Sequence, residues 1–385
     1  MATIVAVRSG NWSNTSHTTG PWPGGSTPTT KPGAGDTVQT GAYIVTIDED
    51  VHVALLESTS TGYFAVTAAP RTIIGNVLNN GTVGRALEIA NPTGLVTLIG
   101  NVTGGAESGA VGIINVGKMG DVTGDVAGGA GNNSRGIQND AHTMGNIIGN
   151  VTGGSGVDAY GILSVDEGVM GDVTGNVTGG SSGGAYGIYN GGNCTMGNII
   201  GNVTGGSGDN AYGINNDATM GDVIGDVTGG VGITAYGIYS NGGTIGDVIG
   251  DVTGGAGIIA HGIINDGGGA MGDVTGDVTG GSGDRAYGIY TQTGGVMGAI
   301  DGSLICGANG LFPISGSFKL VSDAANAITV ISSTDNPLTL SNDYPAEADV
   351  KSGVDYNRGT MTGEMAAGSI GPVSIVIGGG GIRIS

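Results

Sequence analysis

Aspartate or asparagine fills two slots of a segment that is repeated through the middle of the chain, and three successive copies carry aspartate in both slots. If the copies stack, these carboxylates form files with steps of roughly 5 Å. Because Ca²⁺ binds several carboxylate oxygens, the aspartates are candidate calcium ligands, and the alternative is a solvated acidic face. The copies do not follow the calcium-binding nonapeptide G-G-x-G-x-D-x-U-x. The candidate ligands are Asp222, Asp226, Asp247, Asp251, Asp273 and Asp277.

The same spacing suits a retaining glycosidase, which holds two carboxyl groups about 5 Å apart. Any file of acids in a stacked repeat has this spacing, so it does not indicate catalysis. A sugar cleft is expected to carry aromatic platforms, yet the two tryptophans, Trp12 and Trp22, both lie near the N-terminus. The sequence contains no P-loop, nucleophile elbow or C-x-x-C motif. We therefore expect no catalytic residues and no enzyme activity.

The elements that would position these side chains follow from the repeat M-G-[DN]-[VI]-x-G-[DN]-V-T-G-G, a variable bend, and A-Y-G-I. Frequent glycine opposes a helix, whereas alternation of apolar and polar residues favours strands. A unit of 24 to 26 residues predicts an all-β parallel β-helix, or β-solenoid, with about 25 residues per coil. Right-handed winding is expected. The copies begin at Met119, Met144, Met170, Met196, Met220, Ile245, Met271 and Met297.

Strand alternation predicts which side chains fill the core. Val122 and Val126 share one parity and are expected inside, with the aspartate slots outside. In the A-Y-G-I segment, Tyr160 and Ile162 are predicted inside and Ala159 outside. Arg135 and His261 occupy tyrosine slots, and a buried unpaired arginine is costly. Either that coil opens locally or the tyrosine file is partly exposed.

Charge and composition exclude several classes of partner. The chain has 32 acidic and 11 basic residues and a net charge of −21, so we expect no nucleic-acid partner. No apolar run is long enough to cross a bilayer, so we expect no membrane insertion. The first residues do not form a signal peptide, which predicts synthesis in a host cytoplasm. Cys194 and Cys306 occupy different slots and are predicted to be free thiols.

Both ends of the chain carry motifs of their own. GNWSN at residues 10–14, with Trp22, PGAGD at 32–36 and VTID at 45–48, resembles the first segment of many bacterial and phage β-helical surface proteins. PAEADVKSGVDYNRG at 345–359 resembles a segment P-x-x-x-D-V-R-x-G-x-x-Y-x-x-G of phage and prophage structural proteins, with Lys351 in place of arginine.

These resemblances imply a virion protein, namely a tail-fibre, spike or other appendage subunit that contributes to host attachment. They imply a homo-oligomer, commonly a trimer, with other virion proteins and a host-surface glycan or protein as partners. A polysaccharide-degrading tail spike and a bacterial surface adhesin are the alternatives.

Four segments are expected along the chain. Residues 1–95 would form a cap and irregular first coils, 96–297 the regular β-helix, 298–344 the final irregular coils, and 345–385 the phage-type segment. Short β-like runs predict the last coils. These runs are Phe318–Val321, Ile328–Ile331 and Leu338–Leu340.

Overall fold

The structure is a computed structural model of the 385-residue chain, and every regular element in its described residues is a β-strand. Beyond residue 305 it describes only the backbone of seven short strands. The ranges described with side chains are 2–15, 21–22, 31–67, 71–81, 85–89 (without the side chain of residue 86), 95–181, 183–290 and 295–305.

Successive turns of the chain, here called coils, stack in parallel. Met119 pairs with Met144, and Met144 pairs with Met170, so each strand meets its own copy about 25 residues later. The main sheet has 31 strands and the second sheet has 13. The predicted all-β parallel β-solenoid is confirmed; its right-handed winding stays a prediction.

Each regular coil contributes three short strands to the main sheet, in files that we name ladders 1, 2 and 3, and one strand to the second sheet, named ladder 4. Ladder 1 contains Thr143–Met144, Val169–Met170, Thr195–Met196, Thr219–Met220, Thr244–Ile245, Ala270–Met271 and Val296–Met297. Ladder 2 contains Ile147–Ile148, Val173–Thr174, Ile199–Ile200, Val223–Ile224, Val248–Ile249, Val274–Thr275 and Ile300–Asp301. Ladder 3 contains Val151–Thr152, Val177–Thr178, Val203–Thr204, Val227–Thr228, Val252–Thr253, Val278–Thr279, Ser303–Ile305 and Ile328–Ile331.

Ladder 4 runs from the N-terminal cap to the last coils. Its strands are Gly10–Asn11, Ile44–Ile47, Tyr63–Val66, Arg85–Ile89, Val111–Asn115, Ile137–Asp140, Ile162–Val165, Ile188–Asn190, Ile214–Asn216, Ile238–Asn241, Ile263–Asp266, Ile289–Tyr290 and Ile314–Ser315. The earlier strands of the main sheet are Thr3–Val5, Thr37–Gln39, Val51–Ser58, Arg71–Asn79, Leu95–Ile99, Val102–Thr103, Lys118–Thr123 and Val126–Ala127.

The C-terminal strands depart from the predicted coils. Pro337–Leu340, which contains the predicted run 338–340, pairs antiparallel with Ile328–Ile331 and forms a hairpin rather than a further coil. Two more antiparallel pairs join Asp355–Tyr356 to Met361–Thr362 and Ile375–Gly378 to Gly381–Ile384. The predicted strand at 318–321 and most of the motif at 345–359 lie outside the described residues.

Four inward files fill one core that extends from Ala6 to Leu304. Each ladder contributes one buried side chain per coil: methionine, then valine or isoleucine, then valine, then isoleucine. In one coil these are Met220, Val223, Val227 and Ile238, all at most 2% exposed. The predicted inward valines and isoleucines are therefore confirmed, and stacking covers apolar surface that one coil could not bury alone.

In the A-Y-G-I segment the isoleucine is buried as predicted, but the predicted orientation of the alanine and the tyrosine is wrong. Ala159 is fully buried and Tyr160 lies on the outer side, half-buried. The reason is Gly161, where a Cβ would lie 2.7 Å from Val177 Cγ1. Ladder 4 approaches ladder 3 so closely there that only glycine fits, and the strand begins after it at Ile162. Two-residue alternation therefore does not extend back through the glycine.

The N-terminal motif residues close the first coils. Trp12 and Trp22 are buried edge to face, with ring centroids 4.7 Å apart, and Trp22 Nε1 donates to the Trp12 carbonyl at 2.9 Å. Asp48 accepts hydrogen bonds from the backbone and hydroxyl of Ser13 at 2.8 and 2.5 Å. Asp36 accepts from two backbone N–H groups, which lower its pKa below the usual value. These contacts hold the first coils together, and the N-terminal cap stays a prediction.

Candidate functional site

The first file of predicted carboxylates lies between ladders 1 and 2. Asp222 Oδ1 accepts the backbone N–H of Asp247 at 2.9 Å, and Asp247 Oδ1 accepts that of Asp273 at 2.9 Å. Asp273 Oδ1 in turn accepts the backbone N–H of Ala299 at 2.7 Å. Each carboxylate therefore holds the coil above it.

The second file lies between ladders 2 and 3 and repeats this geometry. Asp226 Oδ1 accepts the backbone N–H of Asp251 at 2.9 Å, and Asp251 Oδ1 accepts that of Asp277 at 2.8 Å. Asp277 Oδ1 accepts the backbone N–H of Ser303 at 2.8 Å. The structure thus brings the six predicted residues into two parallel files, each with one oxygen used by the protein backbone.

Asparagine performs the same task in lower coils. Asn146 Oδ1 accepts the N–H of Asp172 at 2.9 Å, and Asn198 Oδ1 accepts that of Asp222 at 2.9 Å. The slot therefore requires a side-chain carbonyl or carboxyl oxygen rather than a negative charge. Among the described residues, no three His, Cys, Asp or Glu side chains are grouped as a metal site requires. The calcium site stays a prediction.

Substitutions at Asp247 distinguish two roles for this file of carboxylates: accepting backbone hydrogen bonds and binding calcium. We expect Asp247→Ala to lower the free energy of unfolding by about 1 kcal/mol, because the backbone N–H of Asp273 loses its acceptor. Asp247→Asn keeps the acceptor and should remain within about 0.5 kcal/mol of wild type. Urea unfolding with and without CaCl₂ measures both. Calcium stabilisation of wild type that Asp247→Asn removes would instead support the metal site.

A second constellation, the aromatic stripe, runs along the outer side of ladder 4. Five tyrosines and one histidine from successive coils stack with ring centroids 4.6–5.3 Å apart and interplanar angles of 11–20°. Three further tyrosines pack beside this stack at 5.2–6.2 Å. The members are Tyr160, Tyr186, Tyr189, Tyr212, Tyr236, Tyr239, His261, Tyr287 and Tyr290.

Arg135 occupies a tyrosine slot at the lower end of the stripe, and its contacts show how the structure accommodates an arginine there. Its guanidinium lies 5.6 Å from the Tyr160 ring centroid and donates to Gln138 Oε1 at 2.6 Å. Gln138 Nε2 donates to Asp140 at 2.7 Å. Arg135 is half-buried, as are most of the tyrosines. Of the two expected alternatives, the structure shows the partly exposed file, closed at this end by a cation–π contact.

Burial sets the protonation of the stripe. Desolvation, together with neighbouring tyrosines, raises the pKa of Tyr186 and Tyr236 far above the usual value. His261 is 4% exposed, and burial lowers its pKa to about 4. Its Nδ1 accepts the backbone N–H of Tyr287 at 3.1 Å. At neutral pH Tyr186 and Tyr236 are therefore protonated phenols and His261 is a neutral imidazole.

Ring stacking limits what the stripe can bind. Neighbouring rings within the stack cover one another's faces, so those rings cannot serve as flat platforms for sugars. Edges and hydroxyl groups remain, some of them bonded to side chains: Tyr212 Oη lies 3.3 Å from Thr234 Oγ1. The predicted carboxylates belong to the main sheet and the stripe to the second sheet, so the two sets form separate surfaces.

Sequence reasoning missed an internal asparagine ladder at the second position after each core isoleucine. Asn190 Nδ2 donates to Asn216 Oδ1 at 2.8 Å and to the Thr219 carbonyl at 2.9 Å. Asn216 Nδ2 donates to the Thr244 carbonyl at 3.1 Å. These bonds fasten the end of ladder 4 to ladder 1 of a later coil. The recurrence of asparagine or serine at this position was the signal by which the sequence could have revealed this ladder. The buried members are Asn115, Asn139, Ser164, Asn190, Asn216, Ser240 and Asn265.

The remaining reactive side chains in the sequence are cysteines and histidines. Cys194 is a buried free thiol, as predicted, and Cys306 lies outside the described residues. His142 and His261 belong to different coils, and His261 takes a tyrosine slot as expected.

No protein-family model matches the chain, and a comparison with curated proteins finds no match either. In the described part of the chain no helix is long and apolar enough to cross a membrane. The structure itself defines the class: a parallel β-solenoid protein whose coils are joined by carboxylate, asparagine and tyrosine files.

Proposed function

We propose that the chain is a non-enzymatic structural subunit of a phage virion appendage, a tail fibre, spike or surface fibre. The observation that carries this proposal is the unbroken stacking of ladder 4 through 13 strands around one continuous core. At roughly 4.8 Å per strand this makes a rod of about 60 Å. Backbone ladders and side-chain files at every coil resist bending and local opening.

The N-terminal motif supports the virion assignment by resemblance. Of the residues that carry it, Trp12 packs on Trp22, Ser13 bonds to Asp48 and Gly33 bonds to Asp36 within the first coils. The predicted cap is compatible with an appendage that has a defined base.

The bends between ladders 3 and 4 are the surface proposed for host contact. Three apolar side chains there are more than half exposed: Val231 at 61%, Ile233 at 52% and Ile258 at 58%. Asp209 and Asp284 occupy the corresponding bends of the flanking coils. Bends thus vary the displayed chemistry from coil to coil while the ladders stay constant.

Immunogold labelling of particles purified from cells that express the chain tests this proposal. We expect label at an appendage, and a purified subunit whose mass in solution is three times 37.3 kDa. Label on cell surfaces with none on particles would identify an adhesin and contradict the proposal. New reducing ends after incubation with host capsule or lipopolysaccharide would identify a polysaccharide-degrading spike.

A further inference from the structure

From Leu163 to Tyr290, the outward file one position after each core isoleucine alternates between tyrosine and other residues. Asn215 pairs in register with Tyr189 in the coil before it and with Tyr239 in the coil after it. Its side chain is 6% exposed, yet its Oδ1 accepts no hydrogen bond from the protein. We call this interruption of the tyrosine file the Asn215 gap, formed by Tyr189, Asn215, Asp217 and Tyr239.

Asp217 adds a carboxylate to the same gap. It follows Asn215 by two residues, and Tyr189 Oη donates to its Oδ2 at 3.4 Å. Its Oδ1 is buried without a donor from the protein. Burial raises the pKa of Asp217, and burial followed by the charges of Asp217 and Asp266 raises the pKa of Tyr239. The gap therefore holds two buried acceptor oxygens that lie among aromatic rings and receive no hydrogen bond from the protein. Burying such oxygens costs free energy unless a ligand supplies the donors.

The same sheet face holds two cations of its own in a comparable setting. Arg135 lies over Tyr160 and donates to Gln138, three residues further on. Arg85 lies over Tyr63 at 5.1 Å and pairs with Glu88, also three residues further on, at 2.6 Å. A cation over a tyrosine ring, held by a nearby oxygen, is thus a repeated arrangement on ladder 4.

The Asn215 gap has the rings and the oxygens but no basic residue of its own coils. Between residues 119 and 297 the sequence contains only two, Arg135 and Arg285. Arg135 caps the lower end of the stripe, and Arg285 lies in a bend, where it pairs with Ile259. A cation at the gap must therefore come from another molecule, and the net charge of −21 attracts one.

We propose that the Asn215 gap binds an organic ammonium group, such as that of a lysine side chain or an amino sugar. An ammonium offers three donors, which suit Asn215 Oδ1 and Asp217 Oδ1. The rings of Tyr189 and Tyr239 flank Asn215 in register, and a cation is attracted to the face of a tyrosine ring. Calcium is a poorer match, because it takes six to eight oxygen ligands.

Tyrosine-selective ¹³C NMR of the isolated chain tests the site with methylammonium, a lysine amide and glucosamine as probes. We expect saturable shifts of the Tyr189 and Tyr239 rings, and no such shifts with N-acetylglucosamine, which lacks the charge. Asp217→Asn and Asn215→Ile should each weaken binding by at least about tenfold. Circular dichroism verifies that each variant is folded. If Asp217→Asn does not fold, Asn215→Ile alone tests the site.

The coil above supplies the matched control. There Ile264 lies between Tyr239 and Tyr290, and Asp266 takes the place of Asp217, with its Oδ1 bonded to the backbone N–H of Gly267 at 2.7 Å. Asp266→Asn should leave ammonium binding unchanged. Stronger binding of the lysine amide than of glucosamine would identify a peptide source, and the reverse an amino sugar.

Two results would overturn the proposal. One is folded wild-type protein with no saturable shift from any of the three ammonium probes. The other is an Asp266→Asn variant that weakens binding as much as Asp217→Asn, since the signal would then come from general surface charge. The measurement uses the isolated chain, so its outcome is independent of the proposed virion role.

Discussion

Gly250→Ala is expected to lower the free energy of unfolding by about 3 kcal/mol or more. Gly250 has φ of +145°, a conformation that costs an L-residue about 1–3 kcal/mol. An added Cβ would also overlap the carbonyl oxygen of Gly225 in the coil below. That oxygen belongs to the backbone between ladders 2 and 3, which both hold it in place, so overpacking adds about 1–3 kcal/mol. Urea or thermal unfolding measures the loss.

Two other glycines separate the cost of the backbone conformation from the cost of the steric overlap. Gly268 has φ of +80° but nothing within 4 Å of an added Cβ, so Gly268→Ala should cost only about 1–2 kcal/mol for the conformation. Gly35 has open space and no positive φ, so Gly35→Ala should be close to neutral. Equal stability of Gly250→Ala and Gly35→Ala would contradict the close approach of coils at this corner.

Acid is expected to remove up to about 3 kcal/mol of stability through His261. Its pKa is about 4 in the folded chain and 6.5 in an unfolded one. Between these values the unfolded state binds more protons, so stability present above pH 6.5 is lost as pH falls towards 4. Protonation also removes the acceptor for the Tyr287 N–H. Urea unfolding at half-unit pH steps would follow the loss.

His261→Tyr is the matched variant, because tyrosine fills this slot in neighbouring coils. The difference in unfolding free energy between wild type and variant should vary with pH only between 6.5 and 4. The raised pKa of Asp217 acts with the opposite sign, since it adds stability as pH falls, and it is common to both proteins. A difference that does not change with pH would show that His261 in the folded chain takes up its proton at the same pH as in the unfolded chain, and would contradict a pKa lowered by burial.

Much of the fold was predictable from the sequence because the repeat specifies its own register. Identical side chains recur every 24 to 26 residues, and only stacking lets Val122, Val126 and their copies share one core. The outward position of the aspartate slots follows from the same alternation. The ends were less predictable, since 338–340 lacks a copy to pair with and forms an antiparallel hairpin instead.

The candidate sites depended on contacts that no single copy of the repeat contains. Asp222 and its file are carboxylates in the sequence, but their bond to the N–H of the next coil, 25 residues away, exists only when the coils stack. The Tyr160 side chain is outside because Gly161 meets Val177 one coil later. The Asn215 gap likewise exists because register places Asn215 between Tyr189 and Tyr239.

The sequence alone therefore determined the class of fold, its period and the valine and isoleucine files of its core, since period and alternation are properties of the chain. The tertiary structure decided which polar groups meet and which are left without donors. The physical reason is that those pairings join residues about 25 positions apart in the chain. In addition, a local departure from strand geometry at a glycine decides which side of a strand a side chain occupies.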